Sequence, residues 1–427
     1  MAERSRAKPL VVNVMPHGPA YHYAPNERPD VWWEKSDGSW VGFWKREWPD
    51  LLGEAVLRVN DRYTWEVWQP DFRADGCYSA TLETGVVHRL FPATQRIYRP
   101  GIRAVKGIYS ETMLSWIVAL QHRPVILQPH GFRVPFFSEI LRRLARRNTC
   151  RVVVIGHGLA RTPISELFGL HRPMTYMCLL MEQWKLRRVL AKVDVMAEQT
   201  TSALEDLRRV YRGRVERITM GCDFGFWTSL PSDEVRQAVR RELGIGAGKT
   251  VFFASGNYIP RKQLERLVEV FKLLERRDDW FLLLAGHGDP ANTGRLTAAI
   301  APLAKAGKAM MHPYVEGPAL QNLYWASDVY VSVATDEAGP VSVMKAMACG
   351  VPVVTTPVGA TYDLMAAHGV GAIVPTRGYL EWVRAINTIL DEGPPQAIDV
   401  KTARGSFDWT VVAARVGRIY DELLPSG

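Results

Sequence analysis

The chain has 427 residues, of which 47% are hydrophobic and 23% charged, a composition typical of a soluble globular protein with about two domains. No apolar run reaches the ~18 residues of a membrane-spanning helix, and the charged start MAERSRAKPL lacks the apolar core of an export signal, so we expect a cytoplasmic protein. The five cysteines are scattered without a C-x-x-C pair, which argues against a metal site or a disulfide framework.

The net charge of +9 is concentrated in one segment. Residues 101–200 carry 15 Lys and Arg against 6 Asp and Glu, whereas residues 201–427 carry 25 of each. The densest basic side chains are Arg142, Arg143, Arg146, Arg147, Arg151, Lys185, Arg187, Arg188 and Lys192. Such a surface either binds an anionic membrane face or nucleic acid, or is a solvated helix face. Nucleic acid is the weaker candidate because no recognised reading motif is present.

Short apolar runs alternate with helical patterns along the chain and predict strands that are buried on both faces. In the first half these runs are residues 9–16, 64–70, 124–131, 151–158, 193–199 and 215–221. In the second half they are residues 250–256, 280–288, 329–335, 352–359 and 372–376. Helical patterns lie between them, among them residues 265–277, 318–327 and 379–393. This alternation predicts an α/β protein with parallel sheets and helices on both faces.

The alternation occurs twice and is interrupted by CDFGFWTSLPSD, residues 222–233, which is rich in Gly, Pro and Ser. We therefore expect two doubly wound Rossmann-like domains that face each other across a cleft, residues 1–222 and residues 223–409. A last helical pattern within residues 410–427 follows a break at GSFDW and is expected to pack back on the first domain.

His-Gly dipeptides end four of the strand patterns, at His17-Gly18, His130-Gly131, His157-Gly158 and His287-Gly288. Ligands bind beyond the carboxyl ends of parallel strands, where glycine permits a close backbone approach and histidine can donate to a hydroxyl or phosphate. A structural turn would explain each histidine taken alone. The four together favour a polar rim that faces a ligand.

Two strand ends in the second half combine glycine with features that favour anions. Arg261 and Lys262 follow SGNYIP next to a helical pattern, and the unpaired N–H groups of a helix start already attract a diphosphate. Gly339 and Pro340 precede a second helix start, which leaves the N–H groups of residues 341–343 for phosphate or sugar oxygens. Glu337, just upstream, can accept hydrogen bonds from sugar hydroxyls.

These landmarks, taken with their neighbours, resemble glycosyltransferase family 4. The matching stretches occur in the family's order: MGCDFGFW, SGNYIPRKQ, LLLAGHGDP, YVEGPALQNLYWASDVYVSVATDE, GPVSVMKAMACGVPVVTTPVG and GAIVPT. They cover about residues 193–395, and the first half resembles the family only loosely. The resemblance implies the GT-B fold and a retaining transferase. Such an enzyme passes a sugar from a nucleotide diphosphate to a glycan, a lipid-linked saccharide or a small molecule, without a metal or other cofactor.

The resemblance also implies roles for individual residues. Lys262 matches the cation that holds the donor diphosphate, and Glu337 matches the first acid of the E-x7-E signature beside the donor sugar. The segment Gly339, Pro340, Val341 and Ser342 matches the loop whose backbone contacts sugar and phosphate. His157 matches a histidine of the first domain that touches the donor, and His287 with Gly288 falls in the loop around the nucleotide base.

The sequence departs from the family pattern at three places. Asn257 follows Gly256 where the family usually has an arginine, although Arg261 can supply that charge from a shifted position. The glycine pair after the first strand is replaced by PHGPAYHY. Lys345 stands where the second signature acid, which holds the ribose hydroxyls, is expected.

Lys345 reverses both the charge and the hydrogen-bond polarity of that position, because an ammonium only donates hydrogen bonds. Three interpretations follow: an enzyme with retuned donor recognition, a catalytically silent relative that acts as a binding or partner protein, or a lysine that faces solvent.

The first half is expected to choose the acceptor. Seven tryptophans lie within residues 31–68: Trp32, Trp33, Trp40, Trp44, Trp48, Trp65 and Trp68. They predict either an acceptor-binding or membrane-facing lid or ordinary core packing. Residues 174–192 pair apolar side chains with a cationic end, as an interfacial helix does. A lipid-linked acceptor at the cytoplasmic face of a membrane would account for both features.

Overall fold

The structure is a computed structural model that describes most of the chain. The described residues are 8–15, 28–45, 48–98, 105–131, 135–144, 149–156, 184, 187–229, 232–274, 276–375 and 378–424.

The chain forms two compact units. Unit 1 comprises Met1–Thr219 and Val412–Gly427, and unit 2 comprises Met220–Val411. The expected boundaries after residues 222 and 409 differ from these by three and two residues. The last helix, Trp409–Leu423, begins in unit 2 and continues into unit 1.

The described part of unit 1 is built on one sheet of eight strands. These strands are β1 (Leu10–Val14), β4 (Thr64–Asp71), β5 (Tyr78–Thr81), β6 (Val87–Pro92), β9 (Val125–Pro129), β10 (Arg151–Ile155), β11 (Val195–Glu198) and β12 (Arg214–Arg217). Their order is β12-β11-β10-β9-β1-β4-β6-β5, and only β5 is antiparallel to its neighbour. Two separate hairpins accompany the sheet, β2 (Val31–Glu34) with β3 (Trp40–Phe43) and β7 (Thr94–Tyr98) with β8 (Val105–Tyr109).

Unit 2 is built on a sheet of six parallel strands. These are β13 (Thr250–Asn257), β14 (Trp280–His287), β15 (Ala309–His312), β16 (Val329–Ser332), β17 (Val353–Thr355) and β18 (Ala372–Ile373), in the order β15-β14-β13-β16-β17-β18. The chain leaves β13 in one direction through β14 and β15, and then returns to start β16 on the other side. The strand order therefore reverses between β13 and β16, and a ligand crevice is expected there in an open parallel sheet.

Helices connect the strands in both units. Within the described residues, those of unit 1 are Trp48–Val59, Glu111–Leu120, Pro135–Arg143 and Thr201–Val210, with most of Trp409–Leu423. Those of unit 2 are Asp233–Glu242, Leu264–Lys272, Pro290–Lys305, Gly317–Ala326, Val341–Ala348, Gly359–His368, Tyr379–Glu392 and Val400–Phe407, with a short 3-10 turn at Pro260–Lys262. Local sequence explains several starts, since Ser110, Thr200, Ser232, Asp289 and Asp399 each accept an N-cap hydrogen bond.

Apolar strands make the two cores, as the continuous runs predict. In unit 2 the side chains of Phe252, Leu282 and Val331 are fully buried against the helix Leu264–Lys272. Fully buried Phe253 and Leu283 pack on the other face of the same sheet. Each strand is thus apolar on both sides, which is why these runs do not alternate with polar residues.

The tryptophan-rich segment is partly packed into unit 1. Trp65 and Trp68 belong to the core of unit 1, and the Trp33 ring lies 5.2 Å from that of Tyr78. Trp32 is the most open of the seven, with 37% of its surface exposed. Core packing therefore explains Trp65 and Trp68, whereas Trp33, Trp40, Trp44 and Trp48 are half-buried and Trp32 is exposed.

The basic segment is partly neutralised. Arg142 pairs with Glu139 at 2.8 Å and Arg151 with Asp194 at 3.7 Å. The Lys192 ammonium donates to two carbonyls at the end of the helix Pro135–Arg143, at 2.7 and 2.6 Å. Arg146, Arg147, Lys185 and most of the predicted interfacial helix lie outside the described residues.

No helix in the described part of the chain is both long enough and apolar enough to span a membrane.

Candidate functional site

The loops that follow β13 and β16 meet where the strand order of unit 2 reverses. The backbone N–H of Thr335 donates to the carbonyl of Arg261 at 2.9 Å, and the Arg261 guanidinium donates to the carbonyl of Asp336 at 3.0 Å. Gln263 takes a left-handed conformation with φ of 53° and joins the 3-10 turn to the next helix. These contacts hold the loop that carries Arg261 and Lys262 against the loop that carries Glu337.

Glu337, Arg261 and Lys262 form the charged centre of this site. One carboxylate oxygen of Glu337, Oε1, lies 2.8 Å from Arg261 Nη1 and 2.5 Å from Lys262 Nζ. The contacts are ionic, and neither cation is aligned with that oxygen for a hydrogen bond. Only 7% of the Glu337 side chain is exposed, whereas 46% of Arg261 reaches solvent. Two cations against one carboxylate leave a net positive charge, which suits an anionic ligand.

The helix Val341–Ala348 starts directly beside this centre. Its Pro340 carbonyl accepts from Val343 at 2.9 Å, while the N–H groups of Val341 and Ser342 have no acceptor among the described residues. A Cβ on Gly359 would lie 2.8 Å from the Pro340 ring, so the loop around Gly339 is seated against the next helix. The free N–H groups of a helix start attract phosphate or sugar oxygens.

A buried hydroxyl network supports the helix start from below. Ser255 Oγ lies 3.1 Å from the Tyr324 hydroxyl and 3.2 Å from the Tyr330 hydroxyl. The Tyr324 hydroxyl donates to the Ser342 carbonyl at 2.9 Å. Burial raises the pKa of both tyrosines, so they remain neutral hydrogen-bond donors. The sequence analysis did not predict any of these three residues. Their only indication in the sequence is a hydroxyl-bearing side chain within an otherwise apolar strand or helix pattern.

The predicted base-side residues also come together. Asn257 and His287 are direct partners in the register of β13 and β14, and Gly256 is the partner of Gly286. Gly256 lies beneath Lys262, since a Cβ there would be 3.5 Å from Lys262 Cε. The His287 ring meets Tyr314 edge-on at 4.6 Å.

Gly288 follows this pair. A Cβ at this position would lie 2.7 Å from Tyr258 Cβ, so the loop there requires glycine.

Lys345 is turned toward the core side of the site. Its ammonium lies 4.4 Å from the centroid of the Trp227 ring, which is itself buried. Burial lowers the pKa of Lys345, although the thiols of Cys222 and Cys349 and the carboxylate of Glu316 oppose this effect. No ion pair within 4.0 Å joins Lys345 to an acid in the described residues. The contact with Trp227 favours a packed lysine over a lysine that faces solvent.

Most of the predicted site residues of unit 1 cannot be compared with the structure. His17, Gly18 and His157 lie outside the described residues. His130 does not line an open rim as predicted, because only 1% of its surface is exposed. Its ring meets Trp48 edge-on at 4.0 Å, and its backbone N–H donates to Val14 at 3.0 Å. Packing by the tryptophan-rich segment covers this strand end.

The sequence of unit 2 matches a known family. Residues 235–404 match the family described as Glycosyl transferases group 1. The match includes Arg261, Lys262, Glu337, the helix Val341–Ala348 and Lys345.

Two curated relatives are also named as sugar transferases. The chain is 27% identical over 241 residues to a D-inositol 3-phosphate glycosyltransferase from Xylanimonas cellulosilytica, covering 55% of this chain and 58% of the relative. It is 26% identical over 240 residues to a GDP-mannose-dependent alpha-mannosyltransferase from Mycolicibacterium smegmatis, covering 56% of this chain and 60% of the relative. The chain thus spans less than two thirds of the length of either relative.

The solved structures extend the likeness to the whole chain. Sucrose-phosphate synthase from Thermosynechococcus elongatus superposes with a TM-score of 0.70 at 15% identity, covering 98% of this chain and 100% of the other. The protein therefore has the GT-B fold.

Proposed function

We propose that the protein is a retaining glycosyltransferase of family 4. It would move a sugar from a nucleotide-diphosphate sugar to a glycan, a lipid-linked saccharide or a small-molecule acceptor. The observation that carries the proposal is the contact of Glu337 with Arg261 and Lys262 at the strand-order reversal, inside the segment that matches the glycosyl transferase family. The names of both relatives describe transferases of sugars.

We propose a role for each charged residue of this site. In the free protein Glu337 neutralises part of the charge of Arg261 and Lys262. An entering diphosphate competes for these cations and frees Glu337 to accept hydrogen bonds from the sugar hydroxyls. The cations and the helix start at Val341 then stabilise the negative charge that grows on the departing diphosphate, which is the main electrostatic task of the transfer.

The donor site needs no metal or other cofactor in this proposal. Lys262 and Arg261 supply the positive charge that a divalent cation supplies in other sugar-nucleotide enzymes. The nucleotide-diphosphate sugar is the donor substrate.

Lys345 sets this donor site apart from the family signature. The ribose loses a carboxylate acceptor, which costs roughly 1.5–3 kcal/mol of donor binding if nothing replaces it. The cations and Glu337 remain in place, so the site keeps its means of stabilising the leaving group. This arrangement favours an enzyme with retuned donor recognition over the alternative of a catalytically silent binding or partner protein.

We propose that the protein is cytoplasmic and attaches peripherally to an anionic membrane face. Unit 1 carries the excess of basic side chains, and the Arg188 guanidinium lies 3.5 Å from the centroid of the Trp184 ring, which is 53% exposed. An exposed tryptophan beside arginine suits a membrane interface. Equal pelleting with anionic and neutral vesicles would contradict this location, and steeply salt-dependent DNA binding would favour nucleic acid instead.

The proposed function is tested by thermal unfolding of the full chain with UDP-, GDP-, ADP-, TDP- and CMP-sugars, followed by turnover assays with the ligand that binds. A ligand of the folded state raises the melting temperature by mass action. We expect one nucleotide class to raise it in the native protein and in Lys272→Met, but not in Lys262→Met. Lys272 is a suitable control because it pairs with Glu269 on a helix surface at 2.7 Å.

The outcomes separate the two candidate functions. Binding together with release of the nucleoside diphosphate supports the enzyme. Binding without turnover, or binding only after Lys345→Glu, supports the silent binding protein. If no sugar nucleotide binds to the native protein or to Lys345→Glu, the proposal is overturned.

A further inference from the structure

Unit 1 contains a cavity of about 400 Å³ that the donor site does not use. Its lining begins at Leu10, the first residue of β1, and at Arg123, which precedes β9. It runs along the sheet under the helix Glu111–Leu120 to Glu66 and Arg89. The volume falls within the ~300–1,000 Å³ typical of small-ligand sites.

The cavity lies on the face of the sheet opposite to His130. Glu66 is the register partner of Val12, whereas Asn13 and Gln128 are partners of each other on the alternate face. His130 is two residues beyond Gln128 and shares its face. The cavity is thus separate from the strand end at which the predicted histidine rim was placed.

The floor of the cavity is a fixed pair of opposite charges. Arg89 donates to both oxygens of Glu66, from Nε to Oε2 at 2.6 Å and from Nη2 to Oε1 at 3.0 Å. Trp68 Nε1 also donates to Oε2 at 2.6 Å. Oε1 therefore keeps a lone pair, and the guanidinium keeps N–H groups, for a ligand. The bond to Glu66 raises the pKa of Arg89, so the pair stays charged.

An exposed aromatic ring stands beside this pair. Trp116 is 40% exposed, and its ring is held edge-on by Trp68 at 5.9 Å and by Phe91 at 5.3 Å. The Arg89 guanidinium lies 5.7 Å from the same ring. Ser115 adds a hydroxyl to the lining. The apolar face of the Trp116 ring thus adjoins a hydrogen-bond donor, Arg89, and an acceptor, Glu66, that hold each other in place.

We propose that this cavity binds a neutral hexopyranose, as a free oligosaccharide or the end of a glycan chain. A pyranose offers a C–H face for the Trp116 ring and neighbouring hydroxyls that both donate to Glu66 and accept from Arg89. An acyl chain would cover the charged pair without replacing its hydrogen bonds to water, which disfavours an apolar ligand. Glu66 disfavours an anion. This site does not depend on the proposed transferase activity.

The test uses the full chain labelled with 5-fluorotryptophan, titrated with maltotriose, cellotriose and mannotriose and followed by fluorine NMR. The Trp116 resonance is assigned as the one missing from Trp116→Phe. We expect one trisaccharide to shift it saturably. Trp116→Ala and Glu66→Gln should each weaken binding about tenfold or more, measured by calorimetry. Ser115→Arg changes an exposed residue and should block the cavity without removing any core contact.

Trp32→Ala is the matched control, because Trp32 is also about a third exposed and has the Arg28 guanidinium 4.1 Å from its ring, but lines no part of this cavity. It should bind the saccharide like the native protein, and so should Glu337→Gln, whose defect would lie in the donor site alone. A Trp116 resonance that no trisaccharide moves overturns the proposal. Unchanged binding in Ser115→Arg, or a shift produced by decanoate and not by saccharides, overturns it as well.

Discussion

At the scale of single residues, the site depends on one carboxylate oxygen shared by two cations. Glu337 is nearly buried, so removing its charge would leave Arg261 and Lys262 close together without a counter-charge. An added diphosphate would restore that balance. The internal ion pair therefore opposes nucleotide binding in the free protein, while the carboxylate it holds is needed once the sugar is bound.

We predict that Glu337→Gln lowers kcat about 10²–10³-fold while nucleoside diphosphate binds at least as tightly as in the native protein. The amide keeps the shape of the side chain but neither neutralises the cations nor accepts hydrogen bonds as a charged group. Turnover assays measure the first effect and calorimetry with the nucleoside diphosphate the second. Asp336→Asn is the control, since Asp336 contributes its backbone carbonyl to Arg261. Native turnover in Glu337→Gln would contradict the assigned role.

Lys345 gives a prediction about pH. Burial lowers its pKa in the folded protein below the usual value of 10.5. Between the two pKa values the unfolded chain binds more protons than the folded chain, so stability rises with pH across that window. The ammonium costs most stability below the folded pKa, where both states are charged.

Lys345→Met should lack this dependence. We expect the free energy of unfolding of the native protein, relative to the variant, to increase as the pH rises from the lowered pKa of folded Lys345 towards 10.5. Urea unfolding of both proteins at several pH values measures the difference, and other titrating groups cancel in it. A difference that stays flat would show that Lys345 has the same pKa in the folded and unfolded protein.

The sequence indicated the charged residues of this site but not their contacts. Arg261, Lys262 and Glu337 were predicted because each follows an apolar strand pattern, and carboxyl ends meet in a parallel sheet. The position of Lys345 over Trp227 could not be predicted, because the two residues are far apart in the chain and only the tertiary packing joins them.

At the scale of secondary structure elements, the ends of β13 and β14 are paired through two glycines, Gly256 and Gly286. A Cβ on Gly286 would lie 1.9 Å from the carbonyl oxygen of Gly256, and Gly286 has φ of 154°. Only glycine adopts this backbone conformation without a clash against the neighbouring strand.

We predict that Gly286→Ala lowers the free energy of unfolding by at least about 2 kcal/mol, because backbone atoms must move. Gly294→Ala is the matched control: a Cβ there meets nothing within 4 Å, and the residue lies inside the helix Pro290–Lys305. The control should gain about 0.5–1 kcal/mol from lower entropy of the unfolded chain. Urea unfolding compares the two, and equal stability would show that the strands separate at little cost.

Elements with a continuous apolar run were the most readily predicted. The run TVFFASG became β13 and WFLLLAGHG became β14. By contrast, β15 has the sequence AMMH, which is too short and too weakly β-forming to identify alone. The antiparallel strand β5 and the two hairpins were missed as well, because their side chains are exposed or irregularly patterned.

At the scale of the whole molecule, composition was a less reliable guide to structure and function than the alternation of strand and helix patterns. The excess of basic residues is partly satisfied by local acids and helix ends, which a count of charges does not reveal. Tryptophan content suggested a binding surface, yet Trp65 and Trp68 are core residues and most of the other rings are half-buried. The GT-B fold followed instead from the repeated alternation of strands and helices together with the family resemblance.

The last helix, Trp409–Leu423, stabilises unit 1 although it begins in unit 2. Tyr420 is fully buried, its hydroxyl donates to Gln128 in β9, and its ring lies 5.7 Å from that of Tyr63. Trp382 is an equally buried anchor of unit 2. A large side chain removed from either core should destabilise the unit that contains it by about 3–5 kcal/mol.

We therefore predict that Tyr420→Ala lowers the melting transition of unit 1 and Trp382→Ala that of unit 2. Scanning calorimetry measures the transitions, and hydrogen exchange read by mass spectrometry assigns them through peptides of β1 and β13. In Tyr420→Ala the amides of β1 should exchange faster while those of β13 keep their protection, and Trp382→Ala should show the reverse. If both variants release both sheets together, the two units unfold as one cooperative body, and the last helix stabilises the whole chain rather than unit 1.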